Sequence, residues 1–487
     1  MAMQLSELEP KLVWSIFEKI TRIPRCSGKE QQLQHVLEGW AREHGIGFKK
    51  DESGNVLLTR LAAIGSEGYP SLVLQSHQDM VCEKNKDSKH NFDTDPIPVE
   101  ATTLIVRSNG TTLGADNGIG MALSLALLID DSIKTHGQLE ALLTVEEETG
   151  LKGALNMKPG FYKSKYMINL DSEEVGEITI GSAGGGGTQF KVLTPKEKLY
   201  DYSSFRLEVD RLLGGHSGVD IHLPRANANK VLGSFLFEIS KVLPIRLIRF
   251  DGGTRGNVIP RSAYCEFGAP KRNVDRVREI YEDWKGRVSE KYPVETGIKF
   301  SLSEIPVNEF VSTDATTSVI GIIEGVHHGP FSWDKNIKGL VETSNNLGIV
   351  KTSDDHIMVS VSSRSSNPET MTENREILKG LGLKYGSEVT QPLASKGWKA
   401  DPNSDFLKYL EDKYYRVEGK KPIVKAIHAG LECGHFSGMD PDLKVVSIGP
   451  TIEHAHSPEE SVQVNSVLVV WNLLRNVVES MWQLQTQ

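Results

Sequence analysis

The sequence predicts an α/β protein, a mostly parallel sheet sandwiched by helices, interrupted by an inserted α+β domain. Three observations carry this. The chain has 487 residues, more than one hydrophobic core comfortably serves, so two domains are expected. Short, nearly unbroken apolar runs alternate with helical patterns, as in a sheet buried on both faces. A glycine-rich stretch, Gly181 to Gly187, marks the place where that alternation changes character.

Taken in order, Leu12, Val13, Ile16 and Ile20 form one apolar helical stripe, and Leu33, Val36, Leu37 and Trp40 form the next. The segment from Ile23-Pro24 to Ser27-Gly28 breaks them, with Ser27 placed to cap the second. Ser71 to Ser76 predicts a strand and Gly120 to Asp130 an apolar helix. Leu139 to Val145 and Tyr166 to Leu170 predict two more strands. The glycine run lacks the spacing of a phosphate-binding loop and leads into strand-like residues, so it reads as a domain crossing. Beyond it, the strand Phe205 to Val209 is mixed with helices over Ala228 to Val242 and Val274 to Lys291. Asp401 to Ser404 starts a helix reaching about Tyr415, and Ser466 to Met481 is the closing helix. The expected organisation is a split catalytic domain, residues 1–187 and 398–487, with residues 188–397 inserted.

A net charge of -9, spread along the chain, disfavours a nucleic-acid partner, which would want a basic face. The N-terminus lacks the basic start and apolar run of a signal peptide. No apolar stretch is long enough to cross a bilayer. Cys26, Cys82, Cys265 and Cys433 are few and dispersed, which points to reduced thiols and a cytoplasmic location.

The chemistry gathers where the apolar strands stop. Ligands of open α/β sheets collect outside the carboxyl ends of strands. His77 and Asp79 follow the first strand, Asp116 precedes the apolar helix, Glu146-Glu147-Glu148 follow the next strand, and Asp171 ends the one after. His454 and His456 lie near the C-terminus. Singly, each has a bland explanation: a surface loop, a helix cap, a solvated acidic face. Together they crowd negative charge on one sheet edge, which a cation must neutralise. Mixed imidazole and carboxylate donors suit zinc, cobalt or manganese, and five of them exceed what one tetrahedral zinc needs.

These motifs resemble those of the co-catalytic zinc exopeptidases, a family that includes carboxypeptidase G, bacterial tripeptidase and carnosine-splitting dipeptidases. The resemblance covers essentially the whole chain and implies a zinc-exopeptidase catalytic domain with a lid and dimerisation domain inserted. It implies two zinc ions per subunit, with cobalt or manganese as substitutes, held by His77, Asp116, Glu148, Asp171 and His456. Asp116 would bridge, and Asp79 would orient His77. Thr149-Gly150 sets the register of the glutamate triplet, making Glu147 the general base and Glu148 a ligand. His454 competes with His456, whose Ser457-Pro458-Glu459 context fits the family motif better.

The resemblance further implies that His216 reaches the neighbouring subunit's site in a homodimer and stabilises the oxyanion. Asn257 would contact substrate and Arg364 would hold its carboxylate. Gly430-Leu431-Glu432-Cys433-Gly434 departs from the family's glycine-Thr-Asp form, leaving a role in carboxylate binding open. The expected activity is hydrolysis of unblocked dipeptides, including β-alanyl-histidine. A related deacylase or carboxypeptidase is the alternative enzyme, and a non-catalytic scaffold is disfavoured because no catalytic residue is lost.

Overall fold

A computed structural model describes residues 4–335 and 337–485. The chain divides into two compact units. One comprises the residues up to Ser182, Trp398–Ala426 and the residues from Leu431, and the other comprises Ala183–Gly397 and Ile427–Gly430.

The first unit is built on an eight-stranded sheet. Its order is Gly47–Lys50, Val56–Arg60, Leu139–Thr144, Leu72–His77, Tyr166–Asn169, Lys444–Ser447, Glu177–Ser182 and Ile423–Ile427. The middle four strands run parallel. The Gly47 and Val56 strands join antiparallel at one side, and Glu177–Ser182 pairs antiparallel with Lys444–Ser447. The expectation of a mostly parallel sheet therefore holds for the centre, while the sheet as a whole is mixed.

The unbroken apolar runs follow from burial of both faces. Leu72 and Leu74 enter one core with the helices Lys11–Ile20, Ala115–Ile129 and Val464–Ser480. Val73, between them, points into a second core with Leu142, Met167 and Phe436. Alternate residues of a strand face opposite ways, so both must be apolar here.

The second unit carries a nine-stranded antiparallel sheet with a core that includes Phe205, Phe235, Phe267 and Trp284. The helices Ala228–Ser240 and Val274–Lys291 contribute to that core. The glycine run does not end the first unit at residue 187. The crossing falls at Ser182–Ala183, and Gly184–Leu193 is a strand whose Gly184 to Gly187 pair with Ser365 to Ser362. The return segment also differs from expectation, because Ile427–Gly430 belongs with the second unit, where the Ala183 N–H donates to the Ala429 carbonyl (2.9 Å).

Three local expectations are corrected. Ser27 does not cap the helix Gln31–Glu43, whose first turn follows Glu30 without a side-chain cap; the Ser27 hydroxyl donates instead to Asp79 Oδ2 (2.8 Å). Val36 is 43% exposed and lies off the buried stripe. Cys26 and Cys82 form a disulfide, their Cα atoms 5.6 Å apart, whereas Cys265 and Cys433 are free and buried. The pairing is tertiary: the segment around Cys26 lies along the segment after His77, with a parallel bridge between Cys26 and Met80. Among the described residues no helix is long and apolar enough to cross a membrane.

Candidate metal centre and substrate site

Parallel strands deliver the first unit's polar residues to one edge. His77 is the last residue of the Leu72–His77 strand, the glutamate triplet follows Leu139–Thr144, and Asp171 lies just past Tyr166–Asn169. Asp116 enters from the side, in the first turn of the helix Ala115–Ile129, where Asp116 and Asn117 leave helical geometry and their peptide bond is cis.

The donors fall into two groups that share Asp116. His77 Nε2 lies 3.0 Å from Asp116 Oδ1 and 3.3 Å from Asp171 Oδ1. His456 Nε2 lies 3.0 Å from Asp116 Oδ2 and 2.9 Å from Glu148 Oε1. Ligand atoms of His77, Asp116 and Glu148 all lie within 4.8 Å of one another. Imidazole nitrogens and carboxylate oxygens so gathered suit a divalent cation of the zinc, cobalt or manganese type. The structure thus brings together all five predicted ligands. His454 makes no ion pair with the cluster among the described residues. Both His454 and His456 have left-handed backbone (φ 57° and 64°), a costly state for residues other than glycine that persists where surrounding contacts enforce it.

Asp79 is fully buried and ties two loops together. Its carboxylate accepts from the backbone N–H groups of Glu147 (3.1 Å) and Glu148 (3.3 Å), and Oδ1 lies 3.4 Å from His77 Nδ1. This fixes the ring and the glutamate loop in one arrangement. Within the triplet, Glu146 turns outward with φ 49° and pairs with Lys152, and Glu148 turns to His456.

The electrostatics match this crowding. Burial, with further repulsion from Asp171, Glu148 and Glu432, holds the Glu147 carboxyl well above its ordinary range despite the opposing pull of His77. Burial acts against the His77 imidazolium, but Asp171, Asp116 and Asp79 together overcome it and raise its pKa. Asp116 and Glu148 lift His456 to about 11.

Asn117, passed over in the sequence, and Glu432, singled out there without an assigned role, complete the surroundings. Asn117 donates to the Leu170 carbonyl (2.9 Å) and to Asp171 Oδ1 (2.5 Å). Gly120 leaves room for it, since a Cβ there would come within 2.1 Å of Asn117 Oδ1; the Asp-Asn pair followed by glycine was the available signal. Glu432 is fully buried and accepts from Gln75 Nε2 (2.5 Å) and Thr144 Oγ1 (2.8 Å). Burial raises its pKa to about 8.

His216, Asn257 and Arg364 belong to the second unit. Arg364 Nη2 lies 3.5 Å from His216 Nε2, and its Nε lies 3.5 Å from Ser217 Oγ. Arg364 pairs with no carboxylate among the described residues, and burial alone lowers its pKa. His428 is 6% exposed, bonds Ser344 Oγ through Nε2 (2.7 Å), and Ser344 stands directly opposite Arg364 in the sheet. Burial, then the Arg364 charge, lowers His428 to about 3, so its ring is neutral. Asn257 is exposed, and its carbonyl accepts from Ser217 N–H (2.9 Å).

Residues 73–480 match the model of "Peptidase family M20/M25/M40". The chain belongs to this peptidase family. As an M20 peptidase it is a hydrolase acting on peptide bonds. It is 37% identical over 483 residues to the cytosol non-specific dipeptidase of Escherichia coli (strain K12), covering 98% of this chain and 99% of that protein. Its fold superposes on the aminoacylhistidine dipeptidase of Vibrio alginolyticus with a TM-score of 0.89 and 34% identity, over 98% of both chains. The aminopeptidase PepT of Bacillus cereus shares the fold at a TM-score of 0.57 and 16% identity, over 97% of this chain and 99% of that one.

Proposed function

We propose that this M20 peptidase hydrolyses unblocked dipeptides of broad composition, including those ending in histidine such as β-alanyl-histidine. The observation that carries the reading is near-full-length identity of 37% to a non-specific dipeptidase, joined to a donor set divided around Asp116. His77, Asp116 and Asp171 would hold one divalent cation, and Asp116, Glu148 and His456 a second. Zinc is the proposed metal, with cobalt or manganese as substitutes. Such cations lower the pKa of water toward neutrality and polarise a carbonyl oxygen.

The protein's own groups do the rest. Glu147 takes the proton of the attacking water and returns it to the leaving amine, so no covalent nucleophile is required. Asp79 keeps the His77 ring and the Glu147 backbone in fixed relation. Arg364 receives the substrate carboxylate, work suited to a guanidinium that pairs with no carboxylate among the described residues. Asn257 contacts the substrate, and His216 donates to the oxyanion of a second subunit's site. The inserted unit is then a dimerisation platform, and the enzyme a homodimer. A cytosolic location is proposed on the strength of the Escherichia coli relative; there the Cys26–Cys82 pair would meet a reducing pool.

A hydrolysis panel tests the activity. Free dipeptides are expected to be cleaved, chelator to abolish cleavage, and zinc, cobalt or manganese to restore it. Cleavage confined to N-acylated amino acids would replace this reading with a deacylase.

The trans role of His216 has a separate test. His216→Ala and Glu147→Gln are each expected to be nearly inactive alone. Mixed and allowed to exchange subunits, they should regain about a quarter of wild-type activity, because a mixed dimer contains one intact site. No recovery despite exchange would confine His216 to its own subunit.

A further inference from the structure

We propose that Glu460 and Arg25 are a positioning pair that presets the metal centre, and that losing either weakens metal binding before it unfolds the protein. This rests on the metal-centre reading above. Neither residue is a metal ligand; both act on the backbone of ligand-bearing loops.

Glu460 is 2% exposed. Its Oε2 accepts from the N–H groups of Leu113 (2.8 Å) and Gly114 (3.0 Å), and Oε1 from those of Ala115 (2.8 Å) and Asp116 (3.2 Å). These consecutive amides open the helix Ala115–Ile129, and N–H groups in a first helical turn have no partner within the helix. A buried carboxylate is costly unless hydrogen-bonded, and here both oxygens are doubly engaged. Glu460 follows His456 by four positions, so this one side chain ties the His456 segment to the turn carrying Asp116.

Arg25 completes the frame from the other side. It is 1% exposed, and Nη1 donates to the carbonyls of Gln78 (3.0 Å) and Asp79 (2.9 Å) while Nη2 donates to that of Gly114 (2.5 Å). Gly114 is thus gripped twice, at its N–H by Glu460 and at its carbonyl by Arg25. It has φ 70°, and a Cβ there would meet Arg25 Nη2 at 2.5 Å. Only glycine satisfies both the left-handed backbone and the guanidinium. Through this one residue, the segments bearing His77, Asp116 and His456 are locked in register. Glu460 holds Asp116 by its N–H, so its carboxylate is left to face the His77 and His456 imidazoles.

Groups that orient metal ligands typically cost 10- to 100-fold in affinity when removed. The test titrates cobalt(II) into metal-free, full-length wild type, Glu460→Gln and Arg25→Lys. Binding is read by calorimetry and ligand geometry by the visible absorption of bound cobalt, with circular dichroism to confirm folding. Glutamine turns an NH2 toward two N–H donors, and lysine cannot span three carbonyls. Both variants are expected to stay folded, to bind cobalt about 10- to 100-fold more weakly, and to show an altered spectrum. A folded variant pair with wild-type affinity and spectrum overturns the proposal. So does loss of the fold in both, which would make the pair part of the core and nothing more. If Glu460→Gln alone unfolds, Arg25→Lys decides. Wild type that binds no cobalt would sink the metal-centre reading itself, a result distinct from either.

Discussion

Glu147→Gln is expected to lower kcat by about 10²- to 10⁴-fold, the range assigned to a positioned general base, while metal content stays at the wild-type level. Glutamine keeps the volume and the backbone N–H that Asp79 holds at 3.1 Å, so the loop has no reason to move. What it loses is the capacity to accept a proton. Glu147 alone of the triplet is free for this work: Glu146 pairs outward with Lys152, and Glu148 faces His456 at 2.9 Å. Elemental analysis of the purified variant, paired with steady-state kinetics on a free dipeptide, checks both halves. Retained turnover in this variant, with inactivity and full metal content in Glu148→Gln, would exchange the two roles.

Asp116→Ala is expected to be the most damaging single change to metal binding. Its two oxygens face different imidazoles, His77 and His456, each at 3.0 Å. Removing the carboxylate deprives both donor groups at once and leaves the repulsion among Asp171, Glu147 and Glu148 less organised. The loss in affinity should exceed the roughly 100-fold upper range for residues that merely support a ligand, and activity should fall with it. Excess metal is expected to rescue activity poorly, because on the bridging reading a shared ligand is missing. Equilibrium dialysis against zinc measures this directly, and a variant retaining two tightly bound ions would exclude Asp116 as the bridge.

The catalytic sheet was legible because its strands carry their burial on both faces. Leu72-Val73-Leu74 feeds two different cores, so the sequence there is uniformly apolar and its polar terminus, His77, stands out. Position at a strand's carboxyl end then made Asp171 and the triplet readable. Effects that depend on distant backbone were hidden. Ser27 has the chemistry of a helix cap but meets Asp79 across the fold. The Glu460 contacts span 344 to 347 positions and end on main-chain amides, which have no residue identity to recognise. The Cys26–Cys82 pairing was equally invisible, because a separation of 56 residues has no pattern until the segments lie side by side. Glycines 184–187 resembled a linker because a strand of glycine offers no apolar alternation to read.

The sheet order carries a consequence for biosynthesis. The strand Lys444–Ser447, inserted beside Tyr166–Asn169, is made after the whole second unit. His456 and Glu460 follow it, so two of the groups that shape the Asp116 turn are translated only after the whole second unit. A nascent chain already holding His77, Asp116, Glu148 and Asp171 has acidic side chains without their final imidazole or the clamp on their backbone. Chains fold largely from the N-terminus as they emerge, so the inserted unit has most of its sequence in hand while the first unit waits for its later stretch. Metal capture is thereby tied to synthesis of the segment that follows the inserted unit, and a chain terminated before His456 lacks the means to assemble the full centre.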